Sequence, residues 1–475
     1  MNLVLNQKSK LCLSIHFFMM TIILAQYFIN LTFAQNMSDQ VLISIMLLVF
    51  VWIYFSAGYI GLAVYHPYRF FLLVFFLYNI GGFVYSLFNR VDFFEYPFGT
   101  NTSGIYTQFV HSETLFSIII FMLFIHFGVL LSLQYSRRPS LNITSWEDSG
   151  TNTNLTSIIG LFIFYISLLP AYYYFFSVIK EAFLLGGYQN YAFTETEGTT
   201  KLPFFIRISD DLFKFGFWLY LSTIPKKSKL ILPTILFFLP FFLMSFFTGS
   251  RVHAIVQGVT LVTYFAIVKY VNVKNMMAFM LIFILFATFI GVLRGTQDYD
   301  LVSAKTIVDD KGINPFEDFF LAQGVSAHTI CLTIVLVETH KIDYSLKFLI
   351  EPLYNKPGYQ QNKKADDYFL LSDRISYYFT GNFENGGGLG SSIVAEFYAV
   401  GGIFGVMFFS FCFGFLLLWL LFKINNPLGF LFFLLLLPGI YYTPRGYALT
   451  PLIFAQQQIE LMLCFVLFKK FITKK

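Results

Sequence analysis

Residues 386–422 read GGGLGSSIVAEFYAVGGIFGVMFFSFCFGFLLLWLLF. From Ile393 onward this is one apolar run, interrupted by a single carboxylate, Glu396. A bilayer core about 30 Å thick is crossed by about 20 apolar residues in a helix, so the run is long enough to span it. The glycines and serines in front of it, and the one acid about a turn inside it, are the features that a simple membrane anchor does not need.

The rest of the chain has the same character. Hydrophobic residues make up 57% of the 475 positions, charged ones 12%, and Phe alone occupies 64. A chain of that composition cannot face water on all sides. In lipid, backbone polar groups must be satisfied within each segment, which selects helices. Apolar windows recur near 11–34, 41–64, 68–88, 114–134, 156–178, 205–224, 230–248, 252–272, 276–293, 393–422, 427–441 and 451–468. The reading is an all-α integral membrane protein of about twelve transmembrane helices.

Basic residues order these spans. Short loops rich in Lys and Arg stay cytoplasmic, and alternate connections carry Lys8 and Lys10, Arg69, Arg137 and Arg138, Lys226 to Lys229, Lys269 and Lys274, Lys423, and finally Lys469 and Lys470. All fall on one side if there are twelve spans, which predicts cytoplasmic termini. Three segments follow: spans one to nine with their outer loops over 1–293, a large outer loop over 294–392, and spans ten to twelve over 393–475. The outer loop contains PFEDFFLAQGVSAHTICLTIVLVE (315–338), predicted to be an amphipathic or partly embedded helix, and YSLKFLIEPLY (344–354), predicted to be a second. Between 356 and 385 the polar and aromatic composition predicts an irregular cap.

Other signals are exclusions. The four cysteines stand singly in apolar stretches, so neither a disulfide framework nor a metal site is implied. The charge pattern calls for no nucleic acid partner, and no cofactor motif is present. The first apolar stretch lacks a small-residue cleavage site and reads as a retained span.

Arginine placement points to the site. Arg251 (in FFTGSRVHA), Arg294 (in FIGVLRGTQD) and Arg445 (in PGIYYTPRGYALTP) each stand where a span meets an outer turn, against the positive-inside bias. A guanidinium offers a planar fork of donors suited to phosphate oxygens, so the three together favour a polyanionic ligand. Gly390, Ser391 and Ser392 open the tenth span, where unpaired helix N–H groups and small residues favour phosphate. The ending of a nucleotide-binding P-loop is absent. Glu396 lies about 6 Å down the helix axis from Ser392, at ~1.5 Å per residue. A carboxylate at that depth normally faces a partner or a ligand, and it can accept a proton from a sugar hydroxyl. The alternative is a structural ion pair with one of the arginines.

In the order of these features, in the TGSR turn at 248–251 and in the AEFY segment with its glycines at 395–405, the chain resembles the Wzy-type O-antigen and oligosaccharide repeat-unit polymerases. Eleven residues beyond Arg251 and Arg294 stand Val262 and Lys305, so the R-x10-G pattern of some relatives does not occur there. The resemblance implies a GT-C-like, multi-span glycosyltransferase of the bacterial inner membrane. Its donor and acceptor would be undecaprenyl-diphosphate-linked glycans, joined at the periplasmic face, with membrane lipids around it and a chain-length regulator as a companion. It implies that Arg251, Arg294 and Arg445 bind the leaving diphosphate in place of a metal, and that Glu396, with His328 second, serves as base. O-antigen ligases share this plan and carry a histidine in the large outer loop, so His328 keeps a ligase reading open. A lipid-linked oligosaccharide flippase is the third reading, disfavoured by polar mass concentrated on one face.

Overall fold

The computed structural model describes residues 2–33, 37–89, 93–94, 105–135, 153–184, 202–248, 251–272, scattered positions of 274–286, 320–355 apart from 322, 364–380, 383, 389–422, 424 and 426–473. In chain order its helices are α1 (Asn2–Phe33), α2 (Asp39–Tyr59), α3 (Pro67–Phe75), α4 (Gly81–Asn89), α5 (Gln108–Tyr135), α6 (Thr153–Leu184), α7 (Phe204–Ser222), α8 (Ile231–Thr248), α9 (Arg251–Ile267), α10 (Val325–Glu338), α11 (Lys347–Ile350), α12 (Leu371–Phe379), α13 (Ile393–Phe422), α14 (Pro427–Tyr442) and α15 (Thr450–Thr473). Among the described residues there is no strand, and nine helical segments are long and apolar enough to cross a membrane. These are the features of a multi-pass integral membrane protein. Every apolar window of the sequence coincides with helix except 276–293, most of which lies outside the described residues.

The chain forms two compact units. The first comprises Met1–Leu141, Glu317–Phe422 and Thr443–Thr450; the second comprises Asn142–Phe316, Lys423–Tyr442 and Pro451–Lys475.

In the first unit α5 is the central helix, with α1, α2, α10 and α13 against it. Its closest neighbour is α13, and glycine makes that approach possible. A Cβ at Gly128 would strike the Phe411 carbonyl of α13, and one at Gly414 would strike the Ile125 carbonyl of α5. Small residues let two membrane helices bring their backbones together, where lipid supplies no hydrophobic drive to do so. Phenylalanine fills the remaining space: Phe75 stacks on Phe121 at 4.7 Å, and Phe121 in turn meets Phe397 of α13 at 6.2 Å.

Two irregularities interrupt the spans of this unit. Between α3 and α4 the chain makes a π-helical turn, Phe76–Ile80, carrying the buried Asn79. Such turns recur at functional sites. Within α13, Gly401 (φ −170°, ψ 35°) and Gly402 (φ 58°, ψ −145°) break the helix, where the sequence predicts one uninterrupted span. The conformation of Gly402 is reserved for glycine. The Ser345 N–H donates to the Ala399 carbonyl just before the break, at 3.1 Å.

In the loop 294–392, of the two forms expected for 315–338, α10 takes the embedded one: every residue from Ser326 to Val337 is buried, because both of its faces are apolar or small and it packs on α5 and α13. The segment expected to be an irregular cap contains a regular helix, α12.

In the second unit α6 and α7 cross at Gly160 and Gly216, each close enough for an added Cβ to meet the other's carbonyl. The core is again aromatic, with Phe217 stacked on Phe237 at 3.9 Å. Helices α8 and α9 are packed neighbours, as the short turn between them predicts, and the Ala254 N–H donates to Ser245 Oγ at 2.9 Å.

Candidate functional site

The site is built in the first unit, around the N-terminus of α13. Ser391 and Ser392 are buried there, and the Ser392 carbonyl takes the first helical bond, from the Glu396 N–H at 3.0 Å. Gly390 precedes them at the surface, and a Cβ added there would stand 3.6 Å from the Arg445 carbonyl. The helix start therefore abuts the turn that carries Arg445.

That turn, Thr443–Arg445 and the residues after it, is tied down at several points. Asn79 Nδ2 donates to the Pro444 carbonyl at 3.1 Å, and Ser392 Oγ donates to Asn79 Oδ1 at 3.3 Å, so Asn79 joins the π turn, the helix start and the arginine turn. Ser372 and Tyr447 share a hydroxyl contact of 2.7 Å. Glu396, fully enclosed, accepts the Ala448 N–H at 2.7 Å on Oε2 and the Ser391 hydroxyl at 3.4 Å on Oε1. At 2.7 Å the bond from the Ala448 N–H is a short one. Its geometry is that of a clamp between α13 and the turn.

Arg445 is half-buried. Its Nη1 donates to Gln323 Oε1 at 3.3 Å and its guanidinium lies over the Tyr78 ring, 5.6 Å from the centroid. Tyr78 belongs to the π turn, and Gln323 stands just before α10. The fork is thus aimed by a ring face and an amide while its turn is fixed behind it.

His328 is elsewhere in the unit's interior, on buried α10 outside the spanning helices. Its ring stands edge-on to Tyr106, whose hydroxyl lies 3.0 Å from Nδ1. Burial pushes the imidazole down from 6.5 to about 3, so it is neutral and a weak base at ordinary pH. Arg251 opens α9 in the second unit; its side chain, and Arg294 entirely, lie outside the described residues. The structure thus brings together Gly390, Ser391, Ser392, Glu396 and Arg445.

The profile of the O-antigen polysaccharide polymerase Wzy family matches residues 14–475, nearly the whole chain. The protein belongs to that family. No curated protein and no solved structure matches it. Membership of the Wzy family carries the reaction class: polymerisation of O-antigen repeat units, a glycosyl transfer on lipid-linked oligosaccharides in a membrane.

Asn79, Gln323 and Tyr78 surround the Arg445 turn and did not stand out in the sequence. For Asn79 a signal exists: it is an amide inside the apolar window 68–88. Gln323 and Tyr78 carry none, since what singles them out is their contact with Arg445.

Proposed function

We propose that this Wzy-family protein joins undecaprenyl-diphosphate-linked repeat units into an O-antigen or capsule-type polysaccharide at the periplasmic face of the bacterial inner membrane, on a GT-C-like scaffold with both termini cytoplasmic. The observation that carries the reading is the arginine turn: a guanidinium held over Tyr78 and by Gln323, beside the glycine–serine start of α13.

In the step proposed, a sugar hydroxyl of the acceptor unit attacks the anomeric carbon of the donor glycan. A new C–O bond forms, the bond from that carbon to the diphosphate oxygen breaks, and its electron pair stays on the lipid diphosphate. The hydroxyl's proton passes to an oxygen of the departing lipid diphosphate. The developing negative charge is met by preorganised cations and helix N–H groups, which act strongly in a site shielded from water. Arg445 is the cation assigned to that task, with Arg251 and Arg294 as further candidates and Ser391 and Ser392 at the helix terminus; no metal ion is required. Glu396 acts here as a positioning residue, holding the turn that presents Arg445.

The test is direct. Purified protein in lipid nanodiscs is supplied with undecaprenyl-diphosphate-linked repeat units, and products are separated by length. A ladder of extended glycan supports the proposal, and Arg445→Ala abolishes it while the protein still inserts. Transfer only to a lipid A core, or movement across the membrane with no covalent extension, overturns it.

A further inference from the structure

A second buried carboxylate lies in the first unit, away from the arginine turn. Glu113, near the start of α5, is 5% exposed and accepts hydrogen bonds from Tyr27 of α1 at 3.1 Å and Tyr398 of α13 at 3.2 Å. Both hydroxyls donate to the same oxygen, Oε1. Among the described residues Oε2 accepts none, yet it is not one of the sealed polar atoms left without a partner. Half of this carboxylate is therefore oriented by two tyrosines and half is left open.

The backbone beside it is irregular. Three residues beyond Tyr398 the helix breaks at Gly401–Gly402, and a Cβ on Gly402 would stand 3.0 Å from the Tyr344 hydroxyl. Tyr344, half exposed on the loop before α11, faces Tyr398 with ring centroids 6.5 Å apart. Non-helical backbone at membrane depth is tolerated where it is covered by protein or faces a polar space, and broken helices of membrane carriers mark binding sites. A carboxylate with one open oxygen, tyrosines from three elements and a broken helix thus converge.

We propose that Glu113, Tyr27, Tyr398 and Tyr344 form a subsite for a sugar ring of the repeat unit, in which Glu113 Oε2 accepts a sugar hydroxyl. The inference rests on the polymerase reading above and adds a substrate contact to it. The chemistry suits a polyol: tyrosine rings fit the C–H faces of a sugar, and their hydroxyls can both donate to and accept from its oxygens. Tyr398 stands two residues from Glu396, so at about 100° per residue it projects from nearly the opposite side of α13. The subsite therefore holds a sugar some distance from the diphosphate, and its contribution is to binding.

Two measurements test it. The first is binding of the repeat-unit oligosaccharide, released from its lipid by mild acid, to the full-length protein in nanodiscs. Glu113→Gln should weaken this binding about fivefold, the loss expected when an amide replaces a carboxylate as acceptor. Tyr344→Phe, a change at a half-exposed position that does not threaten folding, should weaken it two- to fivefold, about one neutral hydrogen bond. The second is the polymerisation assay, where Glu113→Gln should raise KM by a like factor and leave kcat within about threefold, the signature of lost uniform binding. Unchanged affinity in both variants, or a lost kcat at constant KM, overturns the subsite. So does a sodium requirement, found when choline replaces sodium, that vanishes in Glu113→Gln, since it assigns Oε2 to a cation. Oligosaccharide binding with no polymerisation by the wild type refutes the polymerase reading and leaves the subsite standing.

Discussion

Replacing Glu396 by Gln and by Ala separates a clamp from a base. In the clamp the Ala448 N–H is held by Oε2 at 2.7 Å, and the Ser391 hydroxyl reaches Oε1. Glutamine keeps an oxygen for Ala448 and turns its amide toward a serine hydroxyl that can accept. What is lost is at most about 1 kcal/mol, or about fivefold in the population of the correctly held turn. Alanine leaves a backbone N–H and a hydroxyl without acceptors in a fully buried place, a cost of about 2–4 kcal/mol that releases the Arg445 turn. A general base behaves differently, since glutamine cannot take a proton and the rate falls by about 10² to 10⁴ in either variant. The assay is the initial rate at which purified protein in nanodiscs converts lipid-linked repeat unit to its dimer, with thermal melting measured in parallel. The expected outcome is at most about fivefold for Glu396→Gln and about 30- to 800-fold for Glu396→Ala. A Gln variant that melts like the wild type yet loses a hundredfold would refute the clamp and make Glu396 the proton acceptor.

Arg445→Lys keeps the charge but loses the planar fork and the stacking on Tyr78, so kcat should fall about ten- to a hundredfold, with Arg445→Ala falling about 10² to 10³; initial rates at saturating substrate measure both. Gly402→Ala forces a side chain into a glycine-only conformation against the Tyr344 hydroxyl and should cost about 1–3 kcal/mol, seen as a lower melting temperature. Gly401→Ala is the control, because its φ of −170° suits any residue and nothing lies within 4 Å of an added Cβ. For His328, folding holds the imidazole neutral down to about 3, whereas the unfolded chain protonates near 6.5. The unfolded state thus binds the extra proton between those values, and stability from this group is complete above 6.5 and falls as pH drops toward 3, by up to about 1.4 kcal/mol per pH unit. Melting at pH 7 and pH 5 should show a smaller difference in His328→Gln than in the wild type.

How much was legible beforehand depends on the range of the interaction concerned. The helices follow from apolar windows, because a bilayer forces each segment to satisfy its own backbone, and that requirement is read along the chain. Gly390, Ser391, Ser392 and Arg445 were recognisable as a polar set, since glycine, serine and arginine at a membrane boundary are costly without a use. The clamp at Glu396 was not, because its partner is the backbone of Ala448, 52 positions later, and a main-chain amide leaves no trace in side-chain identity. Glu113 stood one turn from the head of its span, as Glu396 does, yet nothing local told that two tyrosines from α1 and α13 would turn one of its oxygens inward. The break at Gly401–Gly402 was likewise invisible, as paired glycines in a span serve equally for close packing, which is what Gly128 and Gly414 do. Sequence alone determined that this chain is a multi-pass bundle of apolar helices, because hydropathy acts position by position. Which acid clamps, which lies open and where a helix parts were decided by tertiary structure, because each depends on helices distant in sequence meeting at hydrogen-bond distance.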